Sequence, residues 1–282
     1  MTGQVGFVGL GQIGAPMAGR LADWPGGLLV FDVRPEAMAP LVAQGAVAAS
    51  SVAALGGRCA LVSVMVLDDA QVRAVVAELL TTALPGLVIA VHSTIRPETA
   101  EDLAATAATV DVALLDVPVS GGFIGAHHGT LAAMVGGDRA AFEQVKDAFA
   151  AWASVVVHMG PAGAGTRTKL ARNLLHFIAF TAVGEAQRLA EASGLDLRKL
   201  GRVVRHSDSV TGGPGAVMLR TTTAALEPGD EWYEVMAHTR DLGEKDLTLA
   251  LELAEHLGAD LPLARQSLRG LAAALGVPQP KP

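Results

Sequence analysis

A glycine-rich turn directly after the first apolar run is the feature that most constrains this chain. Residues 5–14 read VGFVGLGQIG, so glycines stand at positions 9, 11 and 14. This spacing predicts a strand that turns tightly into a helix. Gly9 permits the turn, Gly11 lets the backbone approach a ligand, and Gly14 lets the helix pack closely on the strand. A phosphate group would be favoured at that helix N-terminus.

An acidic residue follows the turn at the position where a dinucleotide site needs one. A helix is predicted over 12–23, and the apolar strand Leu28 to Phe31 then leads into Asp32, eighteen residues after Gly14. A carboxylate there can accept hydrogen bonds from both hydroxyls of a ribose. The alternative is a solvated carboxylate at the end of a strand. Because the glycines are in register with it, we expect a dinucleotide cofactor.

The choice between NAD and NADP depends on two neighbouring side chains. Asp32 repels a 2′-phosphate and so favours NAD, whereas the Arg34 guanidinium can pair with that phosphate and keeps NADP possible. We expect NAD. The residues assigned to the cofactor on the glycine turn and the strand ends are Gly9, Leu10, Gly11, Gln12, Ile13, Gly14, Asp32, Arg34, Met65 and Val66.

The composition favours an enzyme that acts on a metabolite. The chain has 282 residues, which suggests two domains, and its formal net charge is -7, so neither nucleic acid nor an anionic membrane is an expected partner. The single cysteine, Cys59, lies in an apolar run and is expected to be a buried thiol. No leader-like segment stands at the start and the apolar runs are strand-sized, so we expect a cytoplasmic protein.

The first 160 residues alternate short apolar runs with amphipathic segments, which indicates a doubly wound α/β sheet. The runs are continuous in hydrophobicity, as in parallel strands that are covered on both faces. The acidic pair at 68–69 and Pro97 mark two helix starts. The predicted strands are Val5 to Val8, Leu28 to Phe31, Ala60 to Val66, Leu87 to Val91, Val112 to Leu115, Leu131 to Val135 and Val155 to His158.

The pattern changes near residue 162, where we expect a dinucleotide-binding domain (1–162) to end and a helical domain (163–282) to begin. A helix over 168–193 is predicted to connect them and to end at Gly194. Its middle, 174–183, is apolar on nearly all sides, so we expect it to be buried between the domains or between the subunits of a dimer. Later helices are predicted from Leu195 to Val204, Leu242 to Leu257 and Leu263 to Leu275.

Lys169 and Asn173 form the first polar pair with candidate chemistry. They stand four residues apart on the long helix and therefore share one of its faces. A partly desolvated lysine has a lowered pKa that suits proton transfer, and Asn173 can donate a hydrogen bond to a substrate oxygen. The alternative is an ordinary surface lysine near the start of a helix.

A second candidate follows a predicted strand, where residues 116–122 read DVPVSGG. The backbone amides of Ser120, Gly121 and Gly122 carry no bulky side chains and can form a cradle for a carboxylate. The alternative is a plain turn built from residues that favour turns.

Together these motifs resemble the signatures of the 3-hydroxyacid dehydrogenase family. The matching stretches, which occur in the expected order over nearly the whole chain, are GLGQIG at 9–14, DVPVSGG at 116–122, GTL at 129–131, VGG at 135–137, the segment 163–173 and the pair at 245–246. The resemblance implies a Rossmann-type domain, a long interdomain helix and an all-α C-terminal domain that forms a homodimer or a dimer of dimers.

The resemblance also implies an activity, which is hydride transfer between NAD(H) and a small 3-hydroxy acid or its semialdehyde. The substrate would be of the 3-hydroxyisobutyrate or tartronate semialdehyde type, and no metal would be needed. The implied roles are Lys169 as catalytic acid/base, Asn173, Ser120, Gly121 and Gly122 as substrate contacts, and Thr94 and Lys245 as cofactor contacts.

The chain departs from the family pattern at Arg172, Val91 and Leu67, where many relatives carry an asparagine, an acid and a proline. The weakest match is 206–218, which leaves the substrate open. Two other readings are an imine reductase-like NADPH enzyme, which Lys169 disfavours, and a catalytically silent cofactor-binding module. His127 and His128 are adjacent, but no third ligand stands at metal-binding spacing from them, so no metal site is predicted.

Overall fold

A computed structural model describes residues 3–279 and divides the chain into two compact units. The first unit extends to Arg172 and the second begins at Asn173. The division falls inside one continuous helix, whereas the sequence pattern changes earlier, near residue 162. The expected α/β architecture, with a sheet-based N-terminal part and a helical C-terminal part, is confirmed.

The first unit is built on a sheet whose nine strands lie within the described residues, in the order β3-β2-β1-β4-β5-β6-β8-β7, with β9 paired to β8. The strands from β2 to β6 along this order are parallel, as predicted, and β3 also pairs with β2 in parallel. The strands are β1 (Val5–Val8), β2 (Leu28–Phe31), β3 (Val47–Ala48), β4 (Leu61–Val64), β5 (Val88–Val91), β6 (Ala113–Asp116), β7 (Val119–Ser120), β8 (Leu131–Gly136) and β9 (Ala153–Gly160).

Successive residues of each central strand face opposite sides of the sheet, and both sides are buried. The central strands are therefore continuous apolar runs in the sequence. In β1, Val5 and Phe7 face one buried cluster whereas Val8 faces another, and β4 and β5 divide their residues in the same way. Each strand therefore contributes to a core on both faces of the sheet, as parallel strands do. Cys59 lies in the second of these cores, and burial raises the pKa of its thiol to about 12.

The predicted parallel order fails at one edge of the sheet. β8 runs antiparallel to β6 and β7, and only its partner β9 is parallel to it. The chain returns from β7 through a single short helix rather than through a full crossover, so the direction reverses. Several side chains of β9 are exposed, so this strand is not covered on both faces. The two-residue strands β3 and β7 were not predicted.

Several helices of the first unit begin at a residue whose side chain caps the helix or at a proline. Asp68 accepts a hydrogen bond from the Gln71 amide at 2.9 Å, and Pro97 occupies the first turn of its helix, as predicted. The first helix is shorter than predicted, because the chain tightens into turns after Gly19. The helices are α1 (Gly14–Gly19), α2 (Pro35–Val42), α3 (Val52–Gly56), α4 (Asp69–Leu80), α5 (Pro97–Ala108), α6 (Gly122–His128) and α7 (Arg139–Ala150).

Within its described residues the second unit contains helices and no strands. The long predicted helix is α8 (Ala164–Ala192), which begins in the first unit, and it is followed by α9 (Leu197–Thr211), α10 (Tyr233–Leu257) and α11 (Pro262–Leu275). Gly194 adopts φ +72°, as expected of the residue that ends such a helix. A 3₁₀ turn at Gly213–Val217 lies between α9 and α10. No helix among residues 3–279 is both long and apolar enough to cross a bilayer.

Large apolar side chains in the middle of α8 are exposed in the part of the chain that the structure describes. Leu174 is 64% exposed, Phe177 59% and Phe180 58%. The sequence predicts that residues 174–183 are covered, because a helix without a polar face is expected to be buried on all sides. Burial of this stretch between the domains or between the subunits of a dimer therefore stays a prediction.

A buried carboxylate fixes the start of α11 in the second unit. The Glu185 side chain is buried, and its two oxygens accept hydrogen bonds from the amides of Leu263 and Ala264 at 2.7 and 2.8 Å. First-turn amides have no acceptor within their own helix, so an acid from α8 satisfies them. Glu185 therefore joins α8 to α11.

We expect Glu185→Gln to destabilise the second unit by about 2 kcal/mol, because an amide group has one acceptor oxygen where the carboxylate has two. The check is chemical denaturation combined with amide hydrogen exchange at Leu263 and Ala264, both of which should exchange faster. Glu191→Gln, an exposed change on the same helix, is the control. Equal stability of the two variants would contradict the capping role.

Candidate active site

The glycine turn after β1 is shaped by two close backbone approaches. Gly9 has φ +91°, and a Cβ there would overlap the carbonyl oxygen of Met65. A Cβ on Gly14 would overlap the carbonyl oxygen of Gly9. A Cβ on Gly11, by contrast, would meet no described atom within 4 Å. The protein itself therefore requires glycine at 9 and 14, whereas Gly11 leaves open space beside the turn.

Asp32 is held rigidly at the end of β2. Its Oδ2 accepts the Leu10 amide at 2.7 Å, and its Oδ1 accepts the Arg34 amide at 2.9 Å. Burial raises the pKa of Asp32, but the hydrogen bonds from Leu10 and Arg34 outweigh it and hold that pKa below its usual value. The carboxylate is thus ionised at neutral pH and is fixed to the glycine turn.

Arg34 pairs with the same carboxylate. Its Nε lies 3.2 Å from Asp32 Oδ1, although the Arg34 side chain is 58% exposed. An exposed pair of this kind adds little stability. Its consequence is instead that the guanidinium next to the glycine turn already has an anionic partner.

A cavity of about 940 Å³, which we call the glycine-turn cavity, lies against these residues. Its size is in the upper part of the range of small-molecule sites. Most of the residues predicted to contact the cofactor line it, namely Gly9, Gly11, Gln12, Ile13, Gly14, Asp32, Arg34, Met65 and Val66. Leu10 does not line the cavity, because its side chain is buried. Its amide instead holds Asp32, which does line the cavity.

One wall of the glycine-turn cavity was missed from the sequence. It is a face of α4 made by Gln71, Ala74, Val75 and Glu78, at the spacing of a helix stripe. Polar side chains stand at the two ends of the stripe and small apolar ones between them. Such a short stripe with polar ends does not resemble a core face, so the sequence pattern did not indicate that these residues line a cavity. Val8, Phe31, Val33, Val52 and Leu67 complete the additional lining.

The end of β5 is tied to the end of β4 beside this cavity. The Ser93 hydroxyl accepts the Val66 amide at 2.9 Å and donates to the Val66 carbonyl at 2.7 Å. Ser93 is buried, whereas Thr94, which was predicted to contact the cofactor, is exposed and does not line the cavity. The predicted contact Lys245 lies on α10 in the second unit, with Nζ 3.3 Å from Asp246.

The buried His92 ring contacts β4 and the segment after β6, next to Ser93. Its Nδ1 lies 2.9 Å from the Val117 carbonyl and its Nε2 lies 3.0 Å from the Ser63 hydroxyl. Burial lowers its pKa to about 4, so the ring is neutral near pH 7. His92 therefore links β4 and β5 to the segment after β6 without carrying charge.

Lys169 lies on the part of α8 that belongs to the first unit. Its Nζ donates to the Val119 carbonyl at 2.6 Å and is partly buried. Burial lowers the pKa of Lys169, and the neighbouring Arg172 guanidinium lowers it further. The result is an amine that releases its proton more readily than an exposed lysine does.

The predicted carboxylate cradle begins at Ser120, directly after Val119, whose carbonyl oxygen accepts the hydrogen bond from Lys169. Ser120 ends β7, Gly121 has φ +130° and Gly122 has φ +62°. A Cβ on Gly122 would meet no described atom within 4 Å, so the backbone there is open to a ligand. The structure thus brings Lys169 next to the segment that carries Ser120.

Asn173 follows Lys169 by one turn of α8 and is the first residue of the second unit. Both residues lie within one unbroken helix, so the i, i+4 spacing assumed from the sequence is present. Within residues 3–279 no cluster of three or more histidine, cysteine or acidic side chains has the arrangement of a metal site.

Two family models match this chain. A model described as the NAD binding domain of 6-phosphogluconate dehydrogenase covers residues 4–160. A model described as NAD-binding of NADP-dependent 3-hydroxyisobutyrate dehydrogenase covers residues 163–277. Together they span both units, with their junction at the start of α8.

Curated relatives match over nearly their full length. An uncharacterized oxidoreductase of Mycobacterium tuberculosis is 55% identical over 99% of this chain and 95% of the relative. An NAD-dependent L-serine dehydrogenase of Pseudomonas aeruginosa is 35% identical over 94% of this chain and 90% of the relative.

Solved structures are also similar to this chain over nearly its full length. An oxidoreductase from Mycobacterium avium is similar with a TM-score of 0.94 and 55% identity, covering 98% of this chain and 99% of its own. A Mycobacterium tuberculosis 3-hydroxyisobutyrate dehydrogenase with L-serine is similar with a TM-score of 0.68 and 29% identity, covering 98% of this chain and 96% of its own. The chain therefore belongs to the 3-hydroxyacid dehydrogenase family and is an NAD-binding oxidoreductase.

Proposed function

We propose that this enzyme interconverts a small 3-hydroxy acid and its semialdehyde, with Lys169 as the general acid/base. The observation that carries the proposal is the Lys169 ammonium, which is partly buried and hydrogen-bonded to Val119 O at 2.6 Å, one residue before Ser120. A lysine with a lowered pKa next to an open backbone segment combines a proton acceptor with a site for an anion.

The backbone of Ser120, Gly121 and Gly122 would bind the substrate carboxylate, and Asn173 would donate to a substrate oxygen. L-Serine and 3-hydroxyisobutyrate, which occur in the names of the relatives, share a hydroxymethyl group on the carbon that bears the carboxylate. A cradle that fixes this carboxylate therefore also fixes the distance from Lys169 to the hydroxyl.

Lys169 would move the proton of that hydroxyl. NAD, when bound, supplies the hydride acceptor. In the oxidative direction the neutral amine of Lys169 accepts the hydroxyl proton, and in the reductive direction its ammonium returns a proton to the developing alkoxide. Burial of the amine keeps its neutral form accessible below the ordinary lysine pKa of 10.5.

Lys169→Ala should lower kcat by about 10³-fold or more, because no other group would hold the proton. The Kd for NAD should stay within about twofold, since Lys169 does not line the glycine-turn cavity. Steady-state oxidation of L-serine and 3-hydroxyisobutyrate, with NAD binding followed by fluorescence, checks both values. The matched control is Lys199→Ala, an exposed lysine on α9.

The pH dependence follows from the same assignment. Oxidation needs neutral Lys169, so its rate should rise with pH through the pKa of this group and level off above it. Because that pKa is lowered, the midpoint should lie below 10.5. A variant at position 169 that keeps most activity, or a rate that falls as the amine deprotonates, would contradict the assignment.

The glycine-turn cavity would hold NAD. The open space beside Gly11 accommodates a group that approaches the backbone closely, and Asp32 presents a fixed carboxylate to a ribose. Thr94 and Lys245 are assigned to the cofactor by the family resemblance. The cavity residues therefore fit the cofactor that this family uses.

Two glycine variants separate folding from cofactor binding. Gly11→Ala should leave thermal stability unchanged or slightly higher, because a Cβ there meets no described atom, but it should weaken NAD binding about tenfold or more. Gly14→Ala should lower stability by about 2 kcal/mol, since its Cβ overlaps the Gly9 carbonyl. Melting temperatures and NAD titration measure these effects. Normal NAD affinity of Gly11→Ala would place the pyrophosphate elsewhere.

Asp32 and Arg34 favour NAD over NADP. The carboxylate is fixed and ionised, so it would repel a 2′-phosphate, and the guanidinium that would attract this phosphate is already paired with Asp32. A 2′-phosphate would therefore have to compete with Asp32 for Arg34.

Asp32→Ala should reverse this preference. We expect kcat/KM with NAD to fall by about 10- to 100-fold, the equivalent of hydrogen bonds to a charged group, while kcat/KM with NADP rises because Arg34 is released. Kinetics with both cofactors make the measurement, and Glu36→Ala, an exposed acid at the start of α2, serves as the control. An unchanged NAD to NADP ratio would show that Asp32 does not contact the ribose.

The exposed apolar residues of α8 support a homodimer, in which a second copy of this chain covers them. Leu174, Phe177 and Phe180 lie within two turns of one helix and are all more than half exposed. Apolar surface of this kind is favourably removed from water on association.

Phe177→Glu should shift the protein toward the monomer, because a carboxylate would be placed in the apolar contact. Light scattering coupled to size-exclusion chromatography measures the mass. Val110→Glu, which changes an exposed apolar residue of the first unit, is the control. A wild-type protein that is monomeric at micromolar concentration would disprove the dimer.

A further inference from the structure

Asp116 ends β6 and is almost completely buried, at 1% exposure. Its Oδ1 accepts the Gly163 amide at 2.8 Å and its Oδ2 accepts the Thr166 amide at 2.6 Å. Both amides lie at the start of α8, where backbone N–H groups have no acceptor within the helix. A carboxylate from the sheet thus caps the helix that carries Lys169.

The start of α8 is seated tightly on the sheet around this cap. A Cβ on Gly136, in β8, would overlap Asp116 Oδ1 and lie 2.7 Å from the Gly165 amide nitrogen. A Cβ on Gly165 would overlap the carbonyl oxygens of Met134 and Asp116. The first turn of α8 therefore has little room to slide or rotate as long as the carboxylate is in place.

A second link joins the same two segments further along. Lys169, three residues after Thr166, donates to the carbonyl of Val119, three residues after Asp116. The strand end and the helix start are thus connected at two points, and Ser120 follows directly after the second one. The position of the Lys169 amine relative to Ser120 depends on both links.

We propose that Asp116 is a positioning residue, which sets the rotation and axial position of the first turns of α8 and so places the Lys169 amine next to the Ser120–Gly122 backbone. This inference rests on the proposed role of Lys169. Asp116 touches neither the glycine-turn cavity nor, in this role, the substrate. Its effect on the reaction is exerted through the helix.

Asp116→Asn is the primary test, because asparagine keeps the size of the side chain but has only one acceptor oxygen. Its NH₂ group would face a backbone N–H donor, so one capping bond is lost and two donors oppose each other. Because displacement of a catalytic group by about 1 Å can cost on the order of 100-fold, we expect kcat to fall about 10- to 100-fold. The Kd for NAD should remain within about twofold, since the cavity is unaffected.

Glu185→Gln is the matched control. Glu185 is a buried carboxylate that caps α11 with two amide bonds, in the same way as Asp116 caps α8. It should lose stability comparably and keep kcat within about twofold, since no proposed catalytic residue lies on α11. If both variants lose kcat to the same extent at a temperature where both are folded, the loss is a general stability effect and the positioning role is wrong.

Gly136→Ala tests the same idea with Asp116 retained, and decides the matter if Asp116→Asn does not fold. Its Cβ would displace Asp116 Oδ1, so the same fall in kcat with unchanged NAD affinity is expected. Wild-type kcat in a folded Gly136→Ala protein would overturn the inference.

Lys169→Ala distinguishes the positioning role of Asp116 from the proposed function. If that variant is inactive while the Asp116 and Gly136 variants keep kcat, only the positioning role fails, whereas an active Lys169→Ala protein overturns the proposed function itself.

Discussion

Buried carboxylates bound by backbone amides hold together the parts of this protein that carry its function. Asp32 joins β2 to the glycine turn, Asp116 joins β6 to α8, and Glu185 joins α8 to α11. A carboxylate withdrawn from water is costly unless N–H donors replace its hydration, and helix starts and turns are the places where unpaired donors stand. Each acid therefore has a fixed partner, and each partner lies on a turn or at the start of a helix.

The sequence predicted the features whose determinants are local. The glycine turn, the position of Asp32 and the central parallel strands follow from spacing and from hydrophobic runs within a few residues. The partners of Asp116 could not be found in this way, because Gly163 and Thr166 lie 47 and 50 residues further along the chain. DVPVSGG was noticed as a motif, yet its first residue received no role, since only the folded sheet brings it to the helix start.

Errors in the predicted fold have similar causes. The hydrophobic run of β8 is the same whether the strand is parallel or antiparallel, so its direction was assigned by analogy with the strands before it. β3 and β7 have only two residues each and leave no periodic signal. The stripe of α4 residues that lines the glycine-turn cavity has polar ends, which a search for core faces passes over. The apolar middle of α8 was recognised, but a pattern of hydrophobicity does not say which molecule covers it.

The continuity of α8 limits how this protein can be divided. The boundary between the two units falls between Arg172 and Asn173, inside an unbroken helix and not in a linker. A gene fragment that ended there would keep only the first helical turns, fewer than the roughly 12 to 15 residues that an isolated helix needs. Their order would depend on the cap from Asp116. Exchange of the C-terminal unit between relatives, as a way to alter substrate choice, would accordingly succeed best at a junction before Gly163, so that the helix and the lysine it carries are transferred as one piece.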